Sequence, residues 1–252
     1  MDRPSMTFGP VERSPARRRW KWLEVREDTM RRTLALVTAG LLLPMSVAGA
    51  ATIDGTAGDD HLRGTPSRDS IHALAGDDVV RALGGRDQVW GGPGGDRLFG
   101  DAGNDSLAGG AGADRMWGGP GTDYGSGGSG ADVFVGGSGN DGFAGGAGDD
   151  AFHGGLGDDW ATDWVETEFS NPAPDDQDLL TTGPGDDVVG LSEGADVVRM
   201  GGGDDRVRTD ADGAVDVIRC GPGRDTVTYY GPRDALDRWY GCERVRVLDA
   251  LR

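Results

Sequence analysis

From Asp60 to Asp159 an aspartate stands at every ninth residue: Asp60, Asp69, Asp78, Asp87, Asp96, Asp105, Asp114, Asp123, Asp132, Asp141, Asp150 and Asp159. Carboxylates serve general acid–base catalysis or bind hard cations, and their spacing separates the two uses. A catalytic pair stands once, with its two members in unlike environments. Here steps such as Asp59–Asp60 return with the period, which suits cation binding through oxygen. Glycine shares the period. Cut from Gly55, residues 55–162 give twelve nonapeptides without insertion, among them "GGPGGDRLF", "GDAGNDSLA", "GGSGADVFV" and "GGAGDDAFH". The sixth position is Asp in all twelve, and the fourth is Gly in eleven, with Ser67 the exception. The eighth is large and apolar in ten, Gly125 and Ala161 being small.

This pattern, G-G-x-G-x-D-x-U-x with U a large apolar residue, resembles the RTX, or haemolysin-type, calcium-binding repeat. The resemblance implies an all-β fold, a right-handed parallel β-roll solenoid with two nonapeptides per coil. The G-G-x-G-x-D half is a turn, x-U-x is a short strand, and Ca2+ lies between turns one coil apart. The physical logic agrees. Calcium takes about 6–8 oxygens, more than one Asp per turn can supply, so backbone carbonyls must point at the ion. Glycine permits the backbone angles that this requires, and its ordering cost is offset when metal binding becomes folding free energy. The alternative for the same residues is a metal-free solenoid with ordinary Asx turns. An EF-hand loop fits poorly, because no Glu stands at the twelfth position of an Asp-rich loop.

Stacking one coil on the next is then an 18-residue relation. It sorts the aspartates into two edges, one from Asp60 to Asp150 and the other from Asp69 to Asp159. The eighth positions point inward and pair as Leu62 with Ile71, Val80 with Val89, Leu98 with Leu107, Met116 with Gly125, Phe134 with Phe143, and Phe152 with Ala161. In the fourth and sixth pairs a large residue faces a very small one, so core volume is partly compensated, as close packing needs. Arg68 and Arg86 precede their aspartates and weaken those sites by charge, so the first coils act as an N-terminal cap. Seventh and ninth positions point outward. Phe99, Trp117 and Val135 are ninth positions 18 apart and form an apolar ladder that reads either as a contact surface or as a strip covered by another part of the chain.

Residues 163–181 break the phase. The stretch has two Pro and no Gly, and reads as a loop inserted at a corner; Trp164, Phe169 and the pair Asp175–Asp176 lie in it. Degenerate repeats occupy residues 182–228. Asp187, Asp196, Asp205, Asp216 and Asp225 keep the sixth position as further metal ligands, and Val189, Val198, Val207, Ile218 and Val227 keep the eighth. Cys220 takes the first-Gly place of the last repeat. It is expected to form a disulfide with Cys242, pinning residues 229–252 as a C-terminal cap over an end that would otherwise expose strand edges.

Ahead of the repeats, residues 30–50 have the form of a secretory signal peptide. Arg31 and Arg32 give the basic start, Leu34 to Leu43 the apolar run, and Ala48 and Ala50 the small-residue cleavage pattern. The apolar run is too short to span a bilayer. Residues 1–29 precede this signal and read as a non-native upstream extension. After Ala50 the chain holds 16 basic and 38 acidic residues, a net charge of −22. That balance opposes binding to nucleic acid and anionic membranes and favours cations.

Catalytic motifs are absent from the sequence. It has no H-E-x-x-H and no G-x-S-x-G, and His61, His72 and His153 occupy outward repeat positions. The sequence thus points to a secreted calcium-binding repeat protein, a structural or adhesive module that is not an enzyme. A calcium-dependent glycan- or surface-binding protein stands beside this reading. So does a solenoid epimerase or lyase acting on polysaccharide, which would need a basic or aromatic cleft where the sequence offers only scattered Arg.

Overall fold

The computed structural model describes residues 49–162, 177–191, 194–209 and 212–248. The signal segment, apart from Gly49 and Ala50, lies outside the described residues. So do Trp164, Phe169 and the pair Asp175–Asp176.

The chain winds as a parallel β-solenoid. Successive strands alternate between two sheets, so each strand pairs with the one a coil away. The first sheet has eleven strands, from Thr52–Asp54 to Arg244–Leu248, and the second has ten, from His61–Arg63 to Arg238–Tyr240. A short pair, Gly84–Gly85 with Ala102–Gly103, closes one corner. The register is the 18-residue step read from the repeat: Met116 lies between Leu98 and Phe134, and Leu107 pairs with Gly125. This is a β-roll, built because x-U-x alternation buries one side chain per strand and the Gly-rich half turns the chain at once.

The core is built mainly from eighth-position side chains, joined by first-position residues such as Ala73, Ala82, Leu191 and Met200. Ile71, Val80, Leu98, Leu107, Met116, Phe134 and Phe152 are each 0 % exposed. Phe134, Phe143 and Phe152 stack with ring centroids 5.6–6.0 Å apart. The expected pairing of Gly125 with Met116 needs correction. A Cβ on Gly125 would lie 2.7 Å from Cγ of Phe134, so the phenyl ring of the following half-coil fills that space.

Near the other end of the chain the strand Leu179–Pro184 starts within the segment read as an insertion, and Leu180 is buried in the core. The last residues are themselves strands. Arg238–Tyr240 and Arg244–Leu248 extend the two sheets by one step each. Cys220 and Cys242 form a disulfide that ties this last coil to the one beneath it. Among the described residues no helix is long and apolar enough to cross a membrane.

Candidate metal centre

Each corner is a turn of the form G-G-x-G-x-D, and its backbone explains its glycines. In one such turn Gly110 has φ 122° and Gly112 has φ 126°, a region that side chains disfavour. Five of the twelve repeats put another residue at the second position; Thr56 and Thr65 do not take a positive φ, whereas Leu74 (φ 84°), Leu83 (φ 85°) and Asp101 (φ 67°) are held in the conformation of the glycines they replace. The first glycine is needed for a different reason. A Cβ on Gly100 would lie 2.6 Å from Oδ2 of Asp105 and 2.8 Å from the carbonyl oxygen of Gly118, one coil on. Gly136 meets Asp141 Oδ2 and Gly154 O at 2.5 and 2.7 Å in the same way. The missing methyl lets a carboxylate oxygen and a carbonyl oxygen crowd into each corner.

The aspartates form two continuous ladders. The backbone N–H of each donates to Oδ1 of the aspartate one coil on. On one edge Asp60 donates to Asp78, Asp78 to Asp96, Asp96 to Asp114, Asp114 to Asp132 and Asp132 to Asp150, at 2.7–2.8 Å. On the other edge Asp69, Asp87, Asp105, Asp123 and Asp141 do the same, ending on Asp159. Of the seventeen candidate aspartates, sixteen are buried and Asp60 is half-buried.

One oxygen of each carboxylate is thus used, and the other distinguishes the coils. Oδ2 of Asp78, Asp87, Asp96, Asp105, Asp114, Asp123, Asp132, Asp141 and Asp159 is buried with no hydrogen-bond partner among the described residues, as are those of Asp205 and Asp225. A buried anionic oxygen without a partner costs several kcal/mol or shifts its pKa. Burial, opposed by the N–H bond to Oδ1, lifts Asp105, Asp132 and Asp159 to about 7. It lifts Asp78, Asp114 and Asp123 to about 6. Neighbouring aspartates on the ladder add to the rise.

At the ends of the solenoid, hydroxyls take up the second oxygen. Thr56 donates its N–H and its hydroxyl to Asp60 Oδ2, and Thr65 does likewise for Asp69 Oδ2. Near the other end Thr209 donates to Asp216 Oδ2 at 3.3 Å, and Tyr229 to Asp237 Oδ2 at 2.8 Å. The first coils therefore differ because threonine replaces the second glycine. Arg68 and Arg86 are exposed and make no ion pair with Asp69 or Asp87.

Three members of the ladders were not among the candidates. Asp150 donates to Asp178 and Asp178 to Asp196, which carries the first edge past the break. That edge runs on through Asp196 and Asp216 to Asp237. The other passes from Asp159 through Asp187, Asp205 and Asp225 to Glu243. The signal was in the sequence: Asp178, Asp237 and Glu243 each have an apolar residue two positions on, in Leu180, Trp239 and Val245. The paired glycines are missing, and only Glu243 keeps a glycine two residues before it, Gly241.

These residues fit a hard divalent cation. The orphaned donors are carboxylate oxygens beside crowded carbonyls, and the central corners from Asp78 to Asp159 carry no sulfur or imidazole, so the set suits calcium rather than zinc or copper. Among the described residues no three His, Cys, Asp or Glu side chains converge on one point. Carboxylates alone therefore do not make a coordination shell at a corner, and the crowded backbone carbonyls are the other oxygen donors within reach. Comparison with family models matches four copies of the RTX calcium-binding nonapeptide repeat, over residues 54–89, 90–124, 126–161 and 175–207, more than half of the chain. No curated protein matches it.

Proposed function

Since the chain belongs to the RTX calcium-binding nonapeptide repeat family, we propose that it works outside the cell as a module that calcium folds and stiffens, structural or adhesive in role and without a catalytic step. The observation that carries this is the set of buried Oδ2 atoms of Asp78, Asp87, Asp96, Asp105, Asp114, Asp123, Asp132, Asp141 and Asp159, which have no hydrogen-bond partner among the described residues. Bound calcium supplies positive charge and a coordination shell for those oxygens. Asp78, Asp87, Asp96, Asp105, Asp114, Asp123, Asp132, Asp141 and Asp159 hold the central ions, with carbonyls of the first glycines as co-ligands. Asp205 and Asp225 hold weaker ones. Asp60, Asp69 and Asp216 are satisfied by threonine and cap the ends.

Secretion follows from residues 30–50 read as a signal peptide, with residues 1–29 as an extension ahead of it. Such a chain stays unfolded where calcium is scarce and folds where it is abundant. Equilibrium dialysis of the mature chain tests the reading. Several calcium ions should bind per chain, and magnesium at equal concentration should not displace them, because it demands a smaller octahedral shell. A chain that binds none overturns it.

A further inference from the structure

The arginines that look scattered in the sequence are gathered by the fold. Ten of the sixteen that follow Ala50 lie beyond Gly194, and four of these meet on the outward face of the first sheet. Arg206 and Arg208 sit on the strand Arg206–Thr209, and Arg244 and Arg246 on Arg244–Leu248. Between them runs the strand Thr226–Tyr230, which pairs Thr226 with both Arg206 and Arg244, and Thr228 with both Arg208 and Arg246. Two strand spacings separate the flanking strands, about 9.6 Å, and two residues along a strand about 7 Å. Four guanidinium groups therefore frame a rectangle floored by two threonines. None of the four forms an ion pair among the described residues.

The same face carries an aromatic platform. Trp160 lies two strands before Arg206 in the same outward row, with Val188 between them. Its indole leans over Gly142 and stacks on Tyr124, with ring centroids 5.7 Å apart. It remains 41 % exposed. A hollow at Gly190 joins platform and rectangle, lined by Trp160, Val188, Tyr230 and Arg208. The two outward rows of this sheet, seventh and ninth positions, carry no Asp or Glu after Asp54. The acids stay at the corners; Asp204 marks that edge of the face.

We propose that this face binds a linear acidic polysaccharide, its uronate carboxylates on Arg206, Arg208, Arg244 and Arg246 and a sugar ring on Trp160. Arginine forks match carboxylates two hydrogen bonds at a time. Flat rings pack on an exposed indole. A single extended chain running along the solenoid axis fits the face between its acidic corners. A nucleic acid carries a phosphate about every 3.4 Å of strand, and the net charge of −22 around the face opposes so dense an anion. The proposal rests on the calcium-loaded fold, and folding is read separately.

The test uses the mature chain at saturating calcium, with circular dichroism reporting the fold. Binding of short polygalacturonate oligomers is measured by calorimetry beside neutral dextran and single-stranded DNA. Polygalacturonate should bind, more weakly as salt rises, and the others should not. Arg206→Gln with Arg244→Gln should weaken binding roughly tenfold or more. Arg97→Gln with Arg115→Gln, the same charge change on the other sheet, should leave it within about twofold. Phenylglyoxal labelling of the unmutated chain gives an independent readout, and bound oligomer should protect Arg206, Arg208, Arg244 and Arg246. A folded chain that ignores polygalacturonate, equal loss in both double variants, absence of protection, or binding to DNA alone overturns the proposal. A chain whose fold ignores calcium would instead overturn the reading beneath it.

Discussion

The backbone N–H of Asp105 donates to Oδ1 of Asp123 at 2.7 Å, while Oδ2 of Asp123 lies buried with no hydrogen-bond partner among the described residues. One carboxylate thus has a structural oxygen and an oxygen in reserve. The substitution Asp123→Asn separates them, since the amide keeps an acceptor for Asp105 but loses the charge. In chelator the variant should show more strand signal than the largely disordered unmutated chain, because a buried uncompensated charge is gone. With calcium it should melt lower and need more metal to fold. Asp123→Ala also leaves the Asp105 N–H unpaired and should cost about 1–3 kcal/mol more in the calcium-loaded state. The strand signal in chelator and the melting curve in calcium check the two signs.

Acid should replace calcium in part. Burial lifts Asp105, Asp132 and Asp159 to about 7 and Asp78, Asp114 and Asp123 to about 6. In an unfolded chain an aspartate titrates near 3.9. Between these values the folded state keeps protons that the unfolded state has released. The resulting stability is complete below about pH 4 and is lost as pH rises through 6 to 7. In chelator, the strand signal should therefore grow as pH falls from about 7.5 to 4.5. Calcium needs deprotonated ligands, so its midpoint should rise over the same range. A chelated chain whose spectrum is flat across this range contradicts the burial of these charges.

The second position of the repeat offers a matched pair of substitutions. Gly110 has φ 122°, and a Cβ there would run into the backbone of Gly92. Gly110→Ala should cost about 1–3 kcal/mol. Leu74 holds a positive φ of 84° with its side chain exposed. Leu74→Gly relieves strain of about 1–2 kcal/mol against about 0.5–1 kcal/mol of added unfolded-state entropy, so the calcium-loaded chain should be as stable or slightly more so. Calcium-loaded melting of the two variants decides it; a clear loss in Leu74→Gly would contradict the strain.

The Cys220–Cys242 disulfide closes a loop of 22 residues and holds the last coil, whose outer strand is an open edge. Replacing both cysteines with serine should cost about 3 kcal/mol on the chain-entropy view. The loss should appear first at Arg238–Tyr240 and Arg244–Leu248, read as faster amide exchange there than in the central coils. Uniform exchange would argue that the bond does not pin the end.

The β-roll, its 18-residue register and the inward eighth positions were legible because Asp60 to Asp159 repeat without a slip. What was not legible shares a cause. Asp178, Asp237 and Glu243 continue the ladders in segments without the paired glycines, so the nonapeptide pattern does not extend to them. The sequence points to Arg68 and Arg86 as what sets the first coils apart, and only the geometry shows the hydroxyls of Thr56 and Thr65 occupying the oxygen left open in the central coils. Gly125 was paired within its own coil, whereas a phenyl ring is long enough to reach in from the next half-coil. The arginine rectangle needs residues 206 and 244 side by side, a relation two coils long that no local pattern carries.

Calcium titration of the mature chain, followed by far-ultraviolet circular dichroism from chelator upward, tests the central claim most directly. The orphaned Oδ2 atoms of Asp78, Asp87, Asp96, Asp105, Asp114, Asp123, Asp132, Asp141 and Asp159 make the metal-free coil costly. The account predicts a largely disordered spectrum in chelator and a cooperative rise of strand signal at calcium of about 10⁻⁴–10⁻³ M. A chain with the same strand spectrum and the same melting curve in chelator as in calcium would contradict it.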